Sequence, residues 1–201
     1  MLLVVASRNP DKIAELRHAL AGLTLEVRSA GDFPSVPEVE ETGLTLEENA
    51  RLKARAVSQA TGHLSLADDT GLEVDALGGA PGVKSGRFAG PEQDYARNVE
   101  KLLRLLEGVA PERRTARFRT AAVIVFPGGR EEVAEGVCRG QILTQPRGTG
   151  GFGYDPVFFV PGAGKSFAEM SLEEKDRISH RGRAMRAARA ILEGYLAQPG
   201  S

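Results

Sequence analysis

Leu2-Leu3-Val4-Val5-Ala6 is followed at once by Ser7-Arg8-Asn9-Pro10-Asp11-Lys12, and then by Ile13, Leu16, Ala19 and Leu20 at helical spacing. The first run is continuously apolar, as in a strand buried on both faces. The second is made of turn residues. The third predicts a helix over 12–20 that packs by one face. Strand, polar turn and helix in this order open an α/β protein. The turn also has a chemical reading. Free N–H groups and the positive dipole end at a helix start suit an anion, and Lys12, Ser7 and Asn9 add a charge and hydrogen bonds. It lacks the Gly-Lys-Ser/Thr ending of a P-loop, and an ordinary helix cap is the competing reading.

Outward from this unit, 24–27 reads as a short strand and 32–42 as a Pro-rich acidic loop. Thr45 with Glu48 makes a capping box. The helix it opens has Ala50, Leu52, Ala54, Ala56 and Val57 as its apolar face. A strand over 63–67 is expected to end in the turn-like Asp68-Asp69-Thr70-Gly71. Residues 78–90 form a Gly/Pro loop, and 95–106 a helix with Val99, Leu102, Leu103 and Leu106 on one stripe. Strands 117–126 and 132–138 pair across Gly128-Gly129. Gly148 to Tyr154 is a loop, and Ser171 with Glu174 repeats the capping box. Residues 179–196 read as one Arg-rich helix with Ala184, Met185, Ala188, Ile191, Leu192 and Tyr195 inward. The expectation is one α/β domain over 1–201 with a mixed sheet.

Charge narrows the function. The 26 Lys+Arg and 27 Asp+Glu leave a net charge of −1, without the basic excess that a nucleic-acid polymer demands. The single cysteine, Cys138, cannot form an intramolecular disulfide, as suits a reducing cytosol, and reads as a small core residue. No apolar run approaches the length of a bilayer span. Leu2 to Ala6 lacks the basic flank of a signal peptide. A cytoplasmic protein is expected.

Asp68-Asp69 directly after a strand lies where α/β folds place their ligands. Adjacent carboxylates there repel unless a cation offsets them. Magnesium, held by one or two carboxylates and by substrate phosphate, is the usual one. Glu38, Glu40 and Glu41 could add an oxygen, and a solvated charge run is the alternative. In Gly150-Gly151-Phe152-Gly153-Tyr154-Asp155-Pro156, glycine allows close approach and an aromatic can stack on a base, or the aromatics can plug the core. His180 and Arg181 at a helix start oppose the dipole, which makes sense beside an anion or a base edge.

Together these segments resemble the inosine-triphosphate pyrophosphatase family, also called dITP/XTP pyrophosphatases. The resemblance rests on Ser7 to Lys12, Glu40 to Thr45 running into Glu48-Asn49-Ala50 and Lys53-Ala54, Ala67 to Leu77, Gly79 to Val83, Gly150 to Pro156, Glu174-Lys175 and Ser179-His180-Arg181. It implies two α/β lobes around a long mixed sheet with flanking helices, an active site in the cleft between lobes, and a homodimer. It implies hydrolysis of ITP, dITP and XTP to the monophosphate and pyrophosphate with Mg²⁺. By this likeness Ser7, Arg8, Asn9, Pro10, Asp11 and Lys12 hold phosphate, with Lys53 a further cation. Asp69 is the general base and, with Glu40, a metal ligand; Asp68 and Glu41 are additional candidates. Thr70 contacts substrate, Phe152, Gly153, Tyr154 and Asp155 form the base-stacking strip, and Lys175, His180 and Arg181 recognise the purine and its phosphates. The chain departs from the usual pattern at Arg8, where Gly is common, at Thr70 for Ser, and at Lys84-Ser85-Gly86-Arg87.

Overall fold

The computed structural model describes residues 1–198, apart from the side chain of Asp11. The strands are β1 (Leu2–Val5), β2 (Glu26–Ser29), β3 (Leu64–Val74), β4 (Pro81–Gly82), β5 (Thr115–Val125), β6 (Glu131–Ile142), β7 (Phe158–Val160) and β8 (Lys165–Ser166). The helices are α1 (Pro10–Ala19), α2 (Leu46–Thr61), α3 (Tyr95–Leu105), α4 (Leu172–Ile178) and α5 (His180–Leu196). The strands pair in one sheet ordered β2-β1-β3-β5-β6-β7-β8, with β4 on β3. β1 is parallel to β2 and β3, with Leu3 opposite both Val27 and Leu64, while β4, β7 and β8 pair antiparallel. The mixed α/β class read from the sequence is the observed one.

Local chemistry sets most element starts. The Asn9 side chain accepts from the Lys12 N–H (3.3 Å), which caps α1 with Pro10 at its first position. Both expected capping boxes form, Thr45 with Glu48 on α2 and Ser171 with Glu174 on α4. Two expectations are corrected. β3 does not end at Asp68 but runs on to Val74. Leu52 is 38% exposed, and the buried face of α2 is Leu46, Asn49, Ala50, Ala54 and Val57. The last helix forms as expected, as α5, and Ser179 at ψ 161° separates it from α4.

The chain divides into two compact units. The first comprises 1–69, 120–136 and 181–201, the second 70–119 and 137–180. In the first, Leu3, Val5, Leu64 and Leu66 pack with Leu16 of α1, with Leu20 just after it, and with Ala184, Met185, Ala188 and Leu192 of α5. In the second, Leu72, Val74, Leu102, Leu106, Phe118, Tyr154, Phe158 and Phe167 form the core, and Cys138 is buried among them. Among the described residues no helix is long and apolar enough to cross a membrane.

Candidate active site

Side chains alternate along a strand, so extending β3 through both aspartates sends their carboxylates to opposite sides. That separation removes the repulsion expected of an acidic pair in a turn. Asp68 is 3.3 Å from the Lys12 ammonium and 3.3 Å from Arg181 Nε. Arg181 Nη1 in turn meets Glu15 of α1 at 2.6 Å. Asp69 accepts from Lys53 Nζ (3.1 Å) and from the buried amide of Asn49 (3.3 Å). The same Lys53 ammonium donates to Glu41 at 2.9 Å and to the Asp68 carbonyl at 3.0 Å. All these groups lie in the first unit.

The two neighbours titrate in opposite directions. Burial works to raise Asp68, but Lys12 and then Arg181 outweigh it and hold its carboxyl well below the usual range. Asp69 is pushed up, chiefly by burial and further by Glu41, although Lys53 opposes this. Burial also depresses Lys12, with Arg181 and Lys53 adding to the effect against the pull of Asp68. Lys53 is raised, because Asp69 and Glu41 together exceed the cost of its burial. Hence Asp68 is a fixed anion, and Asp69 is the carboxylate with enhanced proton affinity.

The β1–α1 turn lies beside them. Ser7 Oγ accepts from the Asn9 N–H (3.1 Å), and Ser29 Oγ donates to the Ser7 carbonyl (2.8 Å). Arg8, the departure from the usual glycine, donates to the Val36 carbonyl at 3.3 Å. A cavity of about 180 Å³ is lined by Ser7, Arg8, Val36, Glu38 and Lys53 among others. The side chain of Asp11 lies outside the described residues.

In the second unit, Asp155 is 4% exposed and anchors its loop. Its carboxylate accepts from the Phe152 N–H (2.9 Å) and from the Lys175 ammonium (2.8 Å). Gly151 is required at φ +71°, since a Cβ there would meet Asp155 Oδ2 at 2.1 Å. Lys175 also lies over the Phe152 ring, 5.1 Å from its centroid. Tyr154 is core, and its hydroxyl donates to the Ser85 carbonyl at 2.9 Å. His180 is buried, stacked on Phe118 with centroids 4.4 Å apart.

The sequence-predicted residues therefore fall into two groups. Lys12, Lys53, Asp68, Asp69, Glu41 and Arg181 meet in the first unit. Phe152, Asp155 and Lys175 meet in the second, with Gly153 in their loop. Glu40 is exposed, and the upstream carboxylate sharing a cation with Asp69 is that of Glu41. Thr70 is half-buried in β3. Sequence reading missed Asn49 and Glu15. Asn49 carried a signal, a polar residue among the apolar positions of α2; Glu15 carried none, because its partner is 166 positions away.

The fold and site define a class, α/β proteins that gather three cations on adjacent carboxylates of one strand. Within that class the chain belongs to the Ham1 family, whose pattern matches residues 3–191. It is 53% identical to a dITP/XTP pyrophosphatase of Desulforamulus reducens over 192 residues, 96% of each chain. A HAM1 protein from Coxiella burnetii has a similar structure, with TM-score 0.88 and 39% identity over 96% of this chain and 99% of that one. A nucleoside-triphosphatase / dITP/XTP pyrophosphatase from Mycobacterium abscessus is 46% identical with TM-score 0.76, over 96% and 100%.

Proposed function

We propose that this protein hydrolyses the non-standard purine nucleoside triphosphates ITP, dITP and XTP to the monophosphate and pyrophosphate. The names of its relatives supply the reaction. The observation that carries it to this chain is Asp69, a buried carboxylate of raised proton affinity beside two lysines. A general base works best when its pKa approaches the operating pH.

The donor set fits magnesium. Among the described residues no three His, Cys, Asp or Glu side chains form a ready metal cluster. Magnesium needs less, since one or two carboxylates and the substrate's own phosphate oxygens suffice. Glu41 and Asp69 would hold it, a reading supported by the Lys53 ammonium that lies against both carboxylates. When bound, the ion neutralises charge on the phosphates. Asp68 is committed to Lys12 and Arg181.

Asp69 takes a proton from a water whose oxygen attacks the α-phosphorus. The bond from that phosphorus to the bridging oxygen breaks, and pyrophosphate leaves. Lys12 and Lys53 oppose the charge that gathers on the departing group. Asp155 and Lys175 hold Phe152 as a face for the base. Donors that adenine leaves bare supply purine selection; His180 and Arg181 take that role by family likeness.

Pyrophosphate release from dITP with Mg²⁺, beside XTP, dGTP and dATP, tests this reading, with phosphorus NMR identifying the product. Orthophosphate appearing first, or dATP cleaved as fast as dITP, refutes it. The same reading makes the protein a cytoplasmic homodimer. Family likeness supports the dimer, and the single buried cysteine, Cys138, which forms no disulfide, suits a reducing compartment. A single monomer mass in light scattering at micromolar concentration would overturn the dimer.

A further inference from the structure

Two aromatic residues of the second unit stand apart from its core. Tyr154, Phe158 and Phe167 belong to the apolar cluster there, and Phe88 and Val99 pack against it, but neither Phe152 nor Tyr95 is among these residues. Both are half-buried, and they lie against each other, with centroids 6.0 Å apart and planes inclined by 35°. Attractive aromatic pairs have centroids about 4.5–7 Å apart, so the two rings are in packing contact. Phe152 is fixed from behind its own backbone by Asp155, and its ring by Lys175. Tyr95 is fixed by its place as the first residue of α3, whose start the Asp94 side chain caps through the Arg97 N–H (3.0 Å). Two anchored rings that the core leaves partly open are suited to a flat heterocycle.

We propose that Tyr95 is a base-binding residue that shares with Phe152 the aromatic face on which the nucleobase stacks. The inference rests on the pyrophosphatase reading and adds to it a residue from a different element. Tyr95 contributes its ring to the stack, whereas the Tyr154 ring lies in the core with its hydroxyl on the Ser85 carbonyl.

The experiment uses the full chain with three variants, Tyr95→Ala, Tyr95→Phe and Phe152→Ala. Loss of one stacking ring weakens base binding by about 5- to 100-fold. Tyr95→Ala should therefore raise KM for dITP by a factor in that range with kcat held within about twofold. Inhibition by inorganic pyrophosphate, which has no base, should not change. Tyr95→Phe should keep the KM of the parent. The chain has no tryptophan and three tyrosines, so tyrosine emission is a second readout. Titration with IMP should quench it, and the quench should vanish in Tyr95→Phe, because Tyr154 is in the core and Tyr195 packs on Phe126 in the other unit. An unchanged KM in Tyr95→Ala beside a raised one in Phe152→Ala overturns the role of Tyr95 and leaves the stacking reading intact. An unchanged KM in both overturns the stacking face itself. Equal loss of dITP and pyrophosphate binding in Tyr95→Ala marks a structural residue and also overturns the proposal.

Discussion

In the first unit the chemistry-bearing side chains stand on regular elements, Lys12 on α1, Lys53 on α2, Asp68 and Asp69 on β3 and Arg181 on α5. In the second, Phe152 stands on a loop that one buried pair, Asp155 with Lys175, holds in place. The first arrangement is electrostatic and over-determined, since Lys53 and Arg181 each touch more than one acceptor. The second is apolar and centres on the buried Asp155, with Gly151 packed against its carboxylate. A charge removed from the first should therefore act on chemistry or on stability according to which carboxylate is lost. A change in the second should act on affinity.

The sharpest break is between Asp69 and Asp68. On the proposed mechanism Asp69→Asn removes the base and a metal ligand, and turnover should fall by about 10⁴-fold. The fold should persist, because this carboxylate is already penalised by burial and by Glu41; circular dichroism and a melting curve check it. Near-parental turnover in a folded variant would end the assignment. Asp68→Asn should instead destabilise by about 3–5 kcal/mol, since it strips the counter-ion from buried Arg181 and Lys12. The pH dependence follows from sign. The Asp68 carboxyl is lower folded than unfolded, so its stabilisation is full above the ordinary value of 3.8 and is lost as pH falls from there towards the folded value. Urea midpoints measured on acidification should drop steeply in the parent and less steeply in Asp68→Asn.

The same contrast explains what could be read in advance. Capping boxes and the β1–α1 turn are written within four residues, and these were legible. The Gly-Phe-Gly-Tyr-Asp loop was visible as a ligand candidate, since glycines flanking aromatics are a local signal. The course of β3 was not legible. Aspartate is poor in strands, and Asp-Asp-Thr-Gly reads as a turn until Lys12 and Arg181, 56 and 113 positions away, supply the charges that let it stay extended. The exposure of Leu52 and the pairing of Glu41 with Lys53 likewise depend on neighbours distant in sequence. Family likeness singled out Asp69 from Asp68, but it carried no sign of the Lys12 and Arg181 partners that hold Asp68.

The part that Asp155 plays in holding the Phe152 loop is tested by Gly151→Ala. The added Cβ would collide with Asp155 Oδ2 at a left-handed backbone position. Strain of about 1–3 kcal/mol is the scale for such a residue. Relieving it means withdrawing Asp155 from the Phe152 N–H. KM for dITP should rise about 10-fold, while inhibition by pyrophosphate stays as in the parent. If pyrophosphate inhibition weakens equally, the loop does more than present a ring.

The smallest expected effect separates the two aromatics within that loop. Phe152 is half-buried and outside the core cluster, whereas Tyr154 is 4% exposed and inside it. The Tyr154 hydroxyl donates to the Ser85 carbonyl, and burial raises its pKa, so it stays neutral at working pH. Tyr154→Phe keeps the ring and its packing and removes one buried hydrogen bond. A net loss of about 1 kcal/mol follows, readable as a lower urea midpoint at unchanged slope. KM for dITP should not move, because the ring face of Tyr154 is packed against protein. A KM that rises together with the stability loss would mean that Tyr154 also meets the nucleotide, and the division of labour between the two aromatics would have to be redrawn.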